Sequence, residues 1–350
     1  MSEADGKQFR RGLVVGKFSP LHRGHELVIR RAFEMCREVV LISYSKPEFP
    51  GCEAERRQKW LEYLFPEATK LVATEQRLRD WFSDPTLTLP SNEDGDRIHR
   101  RFTGFLCLKK LGVTVDAVFT SENYGDGFAQ ELTNYFREHA PDAPVVCHIL
   151  VDRERKSVPI SGERIRADVE LHRQWLSPQV YQSFVRRVCI LGGESSGKST
   201  LAEALATHFG TLHVAEYGRE LWEAKNGALR YEDMLHIGRT QVAAEDHAGL
   251  RAIRFLFCDT SPLTTLFYSR QLFQRADPRL EQLAERQYDL VVLCGTDFDF
   301  VQDGTRQDAS FRTRQHNWYV DELNRRRIPF LEVIGGVAER IAQVSRRLQM

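Results

Sequence analysis

Short apolar runs recur along this chain, each closed by a glycine or a polar turn and each followed by a stretch with helical spacing. The first run, Leu13 to Val15, ends at Gly16; after a loop, residues 26 to 36 place Val28, Ala32 and Met35 on one side, which is the spacing of an amphipathic helix. A second run, Val39 to Ser43, follows at once. Strand, loop, helix and strand within about 30 residues form the unit from which parallel sheets are built. Ala117 to Thr120 and Val145 to Val151 are further strands by the same reading. At Arg187 the cycle restarts: VCILGG is a strand with a glycine turn, and the helix after it puts Leu201, Leu205 and Phe209 on one face before Gly210 stops it. Leu212 to Ala215, Arg254 to Cys258, Leu290 to Leu293 and Phe330 to Ile334 continue the alternation. Both halves are therefore predicted to be α/β, two doubly wound parallel-sheet domains in series. The stretch His172 to Arg186 has one proline and no strong strand, which sets the boundary near residue 185 and the domains at 1–185 and 186–350. Polar, turn-rich Ser83 to Arg101 reads as an excursion that could serve a substrate.

Bulk composition narrows the field without choosing within it. A chain of 350 residues can bury two cores. Lys plus Arg and Asp plus Glu are equal at 49 each, so no net field draws the molecule to nucleic acid or to an anionic membrane, and any recognition of phosphate has to be local. The seven cysteines stand singly, with no CxxC pair and no histidines at metal-ligand spacing, as expected of reduced apolar residues in a cytoplasmic protein. The opening MSEADGKQFRRG lacks the apolar stretch of a secretory signal, and no later run approaches the ~20 apolar residues of a membrane span. Association into a homo-oligomer is left open.

The turn after the first strand, GKFSPLHRGH, carries the first candidate chemistry. His22 and His25 flank Gly24 where a helix begins; two imidazoles three residues apart at a helix N-terminus can add hydrogen bonds to an anion that the helix end already favours. Gly16, Lys17 and Phe18 form the approach, and Lys17 supplies a further positive charge. The other readings of the two histidines are a solvated loop or part of a zinc site, but zinc needs three or four ligands and no cluster here provides the rest. A second helix start, VPISGERIRAD, has Ser161 as its cap with Arg164 and Arg166 in the helix.

In the second half, GGESSGKST matches GxxxxGK[ST] directly after an apolar strand and directly before an amphipathic helix. Gly192, Glu194, Ser195, Ser196 and Gly197 would wrap phosphates with backbone N–H groups, Lys198 would reach the β- and γ-phosphates of ATP, and Ser199, followed by Thr200, would ligate Mg²⁺. Glu216 and Asp259 follow strands, at the carboxyl edge where open α/β sheets bind ligands. One would orient the acceptor hydroxyl as base and the other would complete the Mg²⁺ shell; the sequence does not separate them, and a helix cap or strand-end turn is the alternative for either. A polar stretch with Asp299, Asp303, Arg306, Arg312 and Arg314 reads as a lid bringing an arginine, Arg306 foremost, to the phosphates, or equally as a solvated loop.

Taken together, HxGH followed far downstream by ISxxxxR resembles the nucleotidylyltransferase superfamily. The resemblance implies that His22 and His25 contact the phosphates around the scissile bond while Arg166 and the Ser161 helix hold the β- and γ-phosphates. The chain departs from that pattern at Glu163, where the superfamily usually has threonine. With the P-loop half behind it, and with SENYGDGFA, AEYGRE and DFDFVQDGTR in order, nearly the whole chain resembles the NadR-type family of nicotinamide-mononucleotide adenylyltransferase and ribosylnicotinamide kinase. That implies ATP and Mg²⁺ as cofactors, nicotinamide riboside and nicotinamide mononucleotide (NMN) as substrates, NAD and pyrophosphate as products, and no membrane or nucleic-acid partner. Some members carry a helix-turn-helix domain ahead of the first catalytic strand; that strand starts by about residue 12 here, so a repressor role is not expected. An aromatic platform for the nicotinamide ring is expected from Trp81 in the first half and from Tyr217 or Trp222 in the second, unless these are core residues. Two rival readings remain: the same chemistries on another acceptor, such as pantetheine phosphate, or a first half that senses NAD or ATP without turnover.

Overall fold

Strand β1 (Phe9–Val15) forms the middle of the first sheet, because Leu13 and Val14 are apolar on successive, opposite faces and both are buried. It is flanked by β2 (Cys36–Ser43), and β3 (Thr69–Val72), β4 (Ala117–Thr120) and β5 (Cys147–Leu150) complete the order β3-β2-β1-β4-β5, with every pairing parallel. The computed structural model describes residues 6–121, 124–154, 156–297 and 308–349, and the chain divides into two compact units, Met1–Ser183 and Phe184–Met350. In the second unit β6 (Arg186–Gly192), β7 (Leu212–Val214), β8 (Phe255–Asp259), β9 (Leu290–Cys294) and β10 (Phe330–Val333) pair in parallel in the order β10-β9-β6-β8-β7. The α/β class, with two doubly wound parallel sheets, is thus as expected.

In each sheet the central strand runs straight into the glycine turn picked out in the sequence. Gly12 of β1 lies so close to its neighbours that a Cβ there would sit 2.6 Å from Cys36 Sγ and 2.9 Å from the Phe119 ring. The helix Lys198–Phe209 buries Leu201, Ala202 and Leu205 and ends at Gly210, whose φ of 62° is the left-handed cap.

Two features depart from the periodicity reading. β3 is a four-residue edge strand, TKLV, too short to announce itself beside the helix that precedes it. The Ser83 to Arg101 excursion is partly regular, since Asp96–Phe105 is helical; Phe102 and Phe105 pack on the core while Asp96 and Arg100 form an ion pair of 2.6 Å on the outer side. No helix among the described residues is long and apolar enough to cross a membrane, and no cluster of His, Cys, Asp or Glu among them could hold a metal ion alone.

Candidate active sites

The first site is built on the turn after β1. Gly16 N–H donates to the Ile42 carbonyl at 3.1 Å, and Phe18 takes φ 47° so that its ring folds back into the interior. The ring passes 2.8 Å from where a Cβ of residue 16 would lie, which only glycine permits. The Lys17 carbonyl accepts from Ser19 Oγ at 3.0 Å and Ser43 Oγ at 3.1 Å. Behind it lies Arg57, fully buried, which donates to Ser43 Oγ at 2.7 Å and Glu48 Oε1 at 2.5 Å and reaches the same carbonyl at 3.4 Å.

His22 caps the helix Arg23–Met35, and its Nδ1 accepts from Gly24 N–H at 3.1 Å. His25 Nδ1 accepts in turn from His22 N–H at 3.3 Å, and the two rings stack with centroids 3.8 Å apart. A ring nitrogen that accepts from a backbone N–H is unprotonated, so each imidazole carries its proton on Nε2 and is a donor there. Both rings line a cavity of 210 Å³ together with Ser121 after β4 and Ile160, Ser161 and Gly162. This is the point where the strand order reverses between β1 and β4, the usual ligand crevice of an open sheet.

Ser161 caps the helix Gly162–Ala167, accepting from Arg164 N–H at 3.3 Å. Arg166 donates to the Ser19 carbonyl, 147 residues away in sequence, and its guanidinium lies 3.8 Å from the Phe49 ring centroid. A Cβ at Gly162 would stand 3.0 Å from the Ser19 carbonyl oxygen, so the close approach of the two segments depends on that glycine. Lys17 Nζ is 6.0 Å from the same Phe49 ring. Desolvation pulls the Lys17 ammonium below its usual range; Glu93 opposes this and Arg166 adds to it.

The second site forms where β6 turns into the helix Lys198–Phe209. Gly192, Ser195 and Gly197 take positive φ values of 152°, 56° and 79°, which coils the backbone into a nest. Lys198 Nζ donates to the Gly193 carbonyl at 3.1 Å. Glu194 N–H donates to Gln315 Oε1 at 2.9 Å, and Tyr268 O–H donates to the Glu194 carboxylate at 2.9 Å. Arg340, almost wholly buried, donates to the Ser196 carbonyl at 2.7 Å, the Gly335 carbonyl at 2.8 Å and Asp297 at 2.6 Å. A cavity of 630 Å³ opens in front, lined by the polar residues Lys198, Ser199, Thr200 and Glu216 and also by the apolar Trp222, Leu229, Met234 and Phe273.

Two neighbouring carboxylates differ in their surroundings. Glu216, half-buried after β7, has its carboxyl pushed up to about 7, chiefly by desolvation; Lys198 works against the rise and Asp259 adds to it. Asp259 ends β8, is 3% exposed, and its Oδ1 has no hydrogen-bond partner among the described residues. Ser196 Oγ and Thr260 Oγ1 are buried in the same condition.

The other sequence candidates fall as follows. Trp222 lines the second cavity, whereas Tyr217 does not and bonds His236 Nε2 through its hydroxyl at 3.0 Å. Trp81 packs on the core of the first unit with the Lys110 ammonium 4.7 Å from its ring, and it does not line the histidine cavity. Arg164 and Glu163 are both exposed, and Glu163 is absent from that lining. Arg306, with Asp299 and Asp303, lies outside the described residues. Of the arginines read as lid residues, Arg312 is buried in the first turn of the helix Ala309–Arg325, with its carbonyl 2.7 Å from where a Cβ of Gly193 would be. Phe49, Arg57, Gln315 and Arg340 were not anticipated. Each acts on the site across a long sequence interval, and no local motif marks them.

A protein-family model described as an AAA domain matches residues 187–340. The trifunctional NAD biosynthesis/regulator protein NadR of Escherichia coli strain K12 is 30% identical over 340 residues, an alignment covering 92% of this chain and 78% of that protein. The protein of the same name from Salmonella typhimurium is 29% identical over 333 residues with the same coverage. Among solved structures, a NadR protein in complex with NR superposes with a TM-score of 0.68 at 20% identity, covering 100% of this chain and 98% of that one. A NadR protein in complex with NAD and AMP-PNP gives 0.65 at 17% identity, covering 98% and 97%. At these identities the two superpositions establish the shared fold.

Proposed function

Because the chain belongs to the NadR family, whose members it resembles as a protein of NAD biosynthesis, we propose that it makes NAD in two ATP-dependent steps, one in each unit. The P-loop unit phosphorylates nicotinamide riboside to NMN. The first unit transfers AMP from ATP to NMN, giving NAD and pyrophosphate. The observation that carries this reading is the presence of two separate cavities with basic groups beside them: His22 and His25 line one, with Arg166 anchored on the Ser19 carbonyl next to Gly162 of its wall, and the Lys198 loop lines the other.

In the first step the riboside hydroxyl oxygen bonds to the γ-phosphorus of ATP as the bond to the ADP oxygen breaks, and Glu216 takes the hydroxyl proton. A base with a carboxyl near 7 suits work at neutral pH. The residues also fit a divalent cation: the Ser199 hydroxyl and the orphaned Oδ1 of Asp259 would hold Mg²⁺, which when bound neutralises charge on the transferring phosphates. On this reading Glu216 is the base and Asp259 belongs to the metal shell. The apolar lining residues, Trp222 among them, receive the nicotinamide ring.

In the second step no protein nucleophile is needed. A phosphate oxygen of NMN bonds to the α-phosphorus of ATP, and the bond to the pyrophosphate oxygen breaks. The Nε2 donors of His22 and His25 stabilise charge on the α-phosphate, and Arg166 with Lys17 holds the leaving pyrophosphate. Glu163 is exposed and does not line the histidine cavity, which favours turnover over a first half that only senses NAD or ATP.

The test is to incubate the full chain with ATP, Mg²⁺ and nicotinamide riboside and to follow NMN, NAD and pyrophosphate. Lys198→Ala should abolish riboside phosphorylation and leave adenylyl transfer to supplied NMN intact. His25→Ala should lower adenylyl transfer by about 10²-fold, as for the loss of one oxyanion donor, and spare phosphorylation. Loss of both activities in either variant, or turnover of another nucleoside in place of the riboside, would refute the assignment.

A further inference from the structure

We propose that Asn92 is a positioning residue for the basic groups of the first site, acting through the loop Ser45 to Phe49; the claim deepens the adenylyl-transfer reading above and rests on it.

Asn92 sits in the polar excursion, where an asparagine would ordinarily serve its own turn. Here that work falls to its neighbours: Ser91 N–H donates to Asp94 Oδ2 at 2.7 Å, and Asp94 N–H donates to the Ser91 carbonyl at 3.1 Å. The polar groups of Asn92 reach instead to a segment some 45 residues earlier. Its backbone N–H donates to the Lys46 carbonyl at 2.7 Å. Its Nδ2 donates to the Pro47 carbonyl at 2.9 Å and to Ser45 Oγ at 3.1 Å, and its Oδ1 accepts from Lys46 N–H at 3.3 Å. Donor, acceptor and main chain are thus all committed to three consecutive residues, a brace and not an incidental contact.

The braced loop supports one cation of the site directly and is tied to the backbone of the other. Two residues past Pro47, the Phe49 ring supports the Arg166 guanidinium at 3.8 Å and stands 6.0 Å from Lys17 Nζ. Between them Glu48 pairs with buried Arg57, whose guanidinium reaches the Lys17 carbonyl. Releasing residues 45–47 therefore frees the support under Arg166 and the tie behind Lys17 together. Because this cradle works by fixed placement of charge, a shift of about 1 Å is enough to weaken the grip on a triphosphate.

Asn92→Ala should raise the KM for ATP in adenylyl transfer by about tenfold, with a smaller change in kcat, while phosphorylation by the P-loop unit of the same polypeptide is unchanged. Asn92→Asp keeps the acceptor and loses the donor to the Pro47 carbonyl, so it should fall between wild type and alanine. Phe49→Ala should reproduce the alanine effect without touching the brace. Binding of a non-hydrolysable ATP analogue in the Lys198→Ala background, where the first unit is the remaining site, gives a readout independent of chemistry. A weaker analogue affinity in Asn92→Ala supports the proposal even if no NAD is formed, an outcome that would sink the adenylyl-transfer reading instead. Unchanged KM and affinity in Asn92→Ala, a parallel fall in kinase rate, or a silent Phe49→Ala would overturn it.

Discussion

At the scale of single residues, the proposed role of Glu216 as base ties its burial to rate. Desolvation raises its carboxyl to about 7, and a general base acts only as the carboxylate. Riboside phosphorylation should therefore climb as pH rises through about 7 and level off above it, with the acid limb belonging to this group. Glu216→Gln should remove that limb and lower kcat by roughly 10²- to 10⁴-fold, which a pH–rate profile of the two proteins would reveal. Gly12 is the corresponding case for stability. An added methyl there would stand 2.6 Å from Cys36 Sγ and 2.9 Å from the Phe119 ring, so Gly12→Ala should destabilise the first unit by about 1–3 kcal/mol in denaturant unfolding. The sequence marked Gly16, His22, His25 and Lys198 by motif. It did not foretell that His22 would cap its own helix with Nδ1, because that use of an imidazole depends on the ring stacked against it.

At the scale of elements, the P-loop is held from both sides by helices that come last in the chain. Gln315 of the helix Ala309–Arg325 accepts from Glu194 N–H, and Arg340 of the helix Val337–Gln349 donates to the Ser196 carbonyl. Arg340→Met would leave that carbonyl without its partner and take the ion pair from the partly exposed Asp297 carboxylate, which keeps the Gly335 N–H. A loss of about 1–3 kcal/mol is expected, read by chemical denaturation, with a raised KM for ATP in the proposed phosphorylation. The far end of the helix Ala309–Arg325 gives a second test. Hydrogen bonds from Arg325, then from Arg326, hold the Glu322 carboxyl down to about 2 from its ordinary 4.5. A lowered carboxyl pKa contributes stability that is complete above 4.5 and is lost as pH falls through about 2. Glu322→Gln should thus flatten the acid side of the stability curve. Periodicity located nine of the ten strands among the described residues because apolar runs between glycine turns are a local signal. It missed β3 and the Asp96–Phe105 helix, whose short or strongly polar sequences become regular only against a core supplied by other segments.

At the scale of the molecule, two sheets each carry a glycine turn off the central strand, and each turn faces its own cavity. Titration with a non-hydrolysable ATP analogue should therefore show two equivalents per chain. Lys198→Ala should remove one of them and Arg166→Ala the other. The pairing of Gly16–His25 with residues 160–166 could be read from two motifs. The bracing by Phe49, Asn92 and Arg57 could not, since none of these residue types in a polar segment announces a contact tens of residues away.

Arg340 also bears on how far the P-loop unit can be trimmed. Shortening the polypeptide from its C-terminal end would delete the guanidinium that closes the back of a loop begun at Gly192. A truncation ending before residue 340 would leave every recognisable P-loop residue in place, yet the loop would have lost the clasp that shapes it.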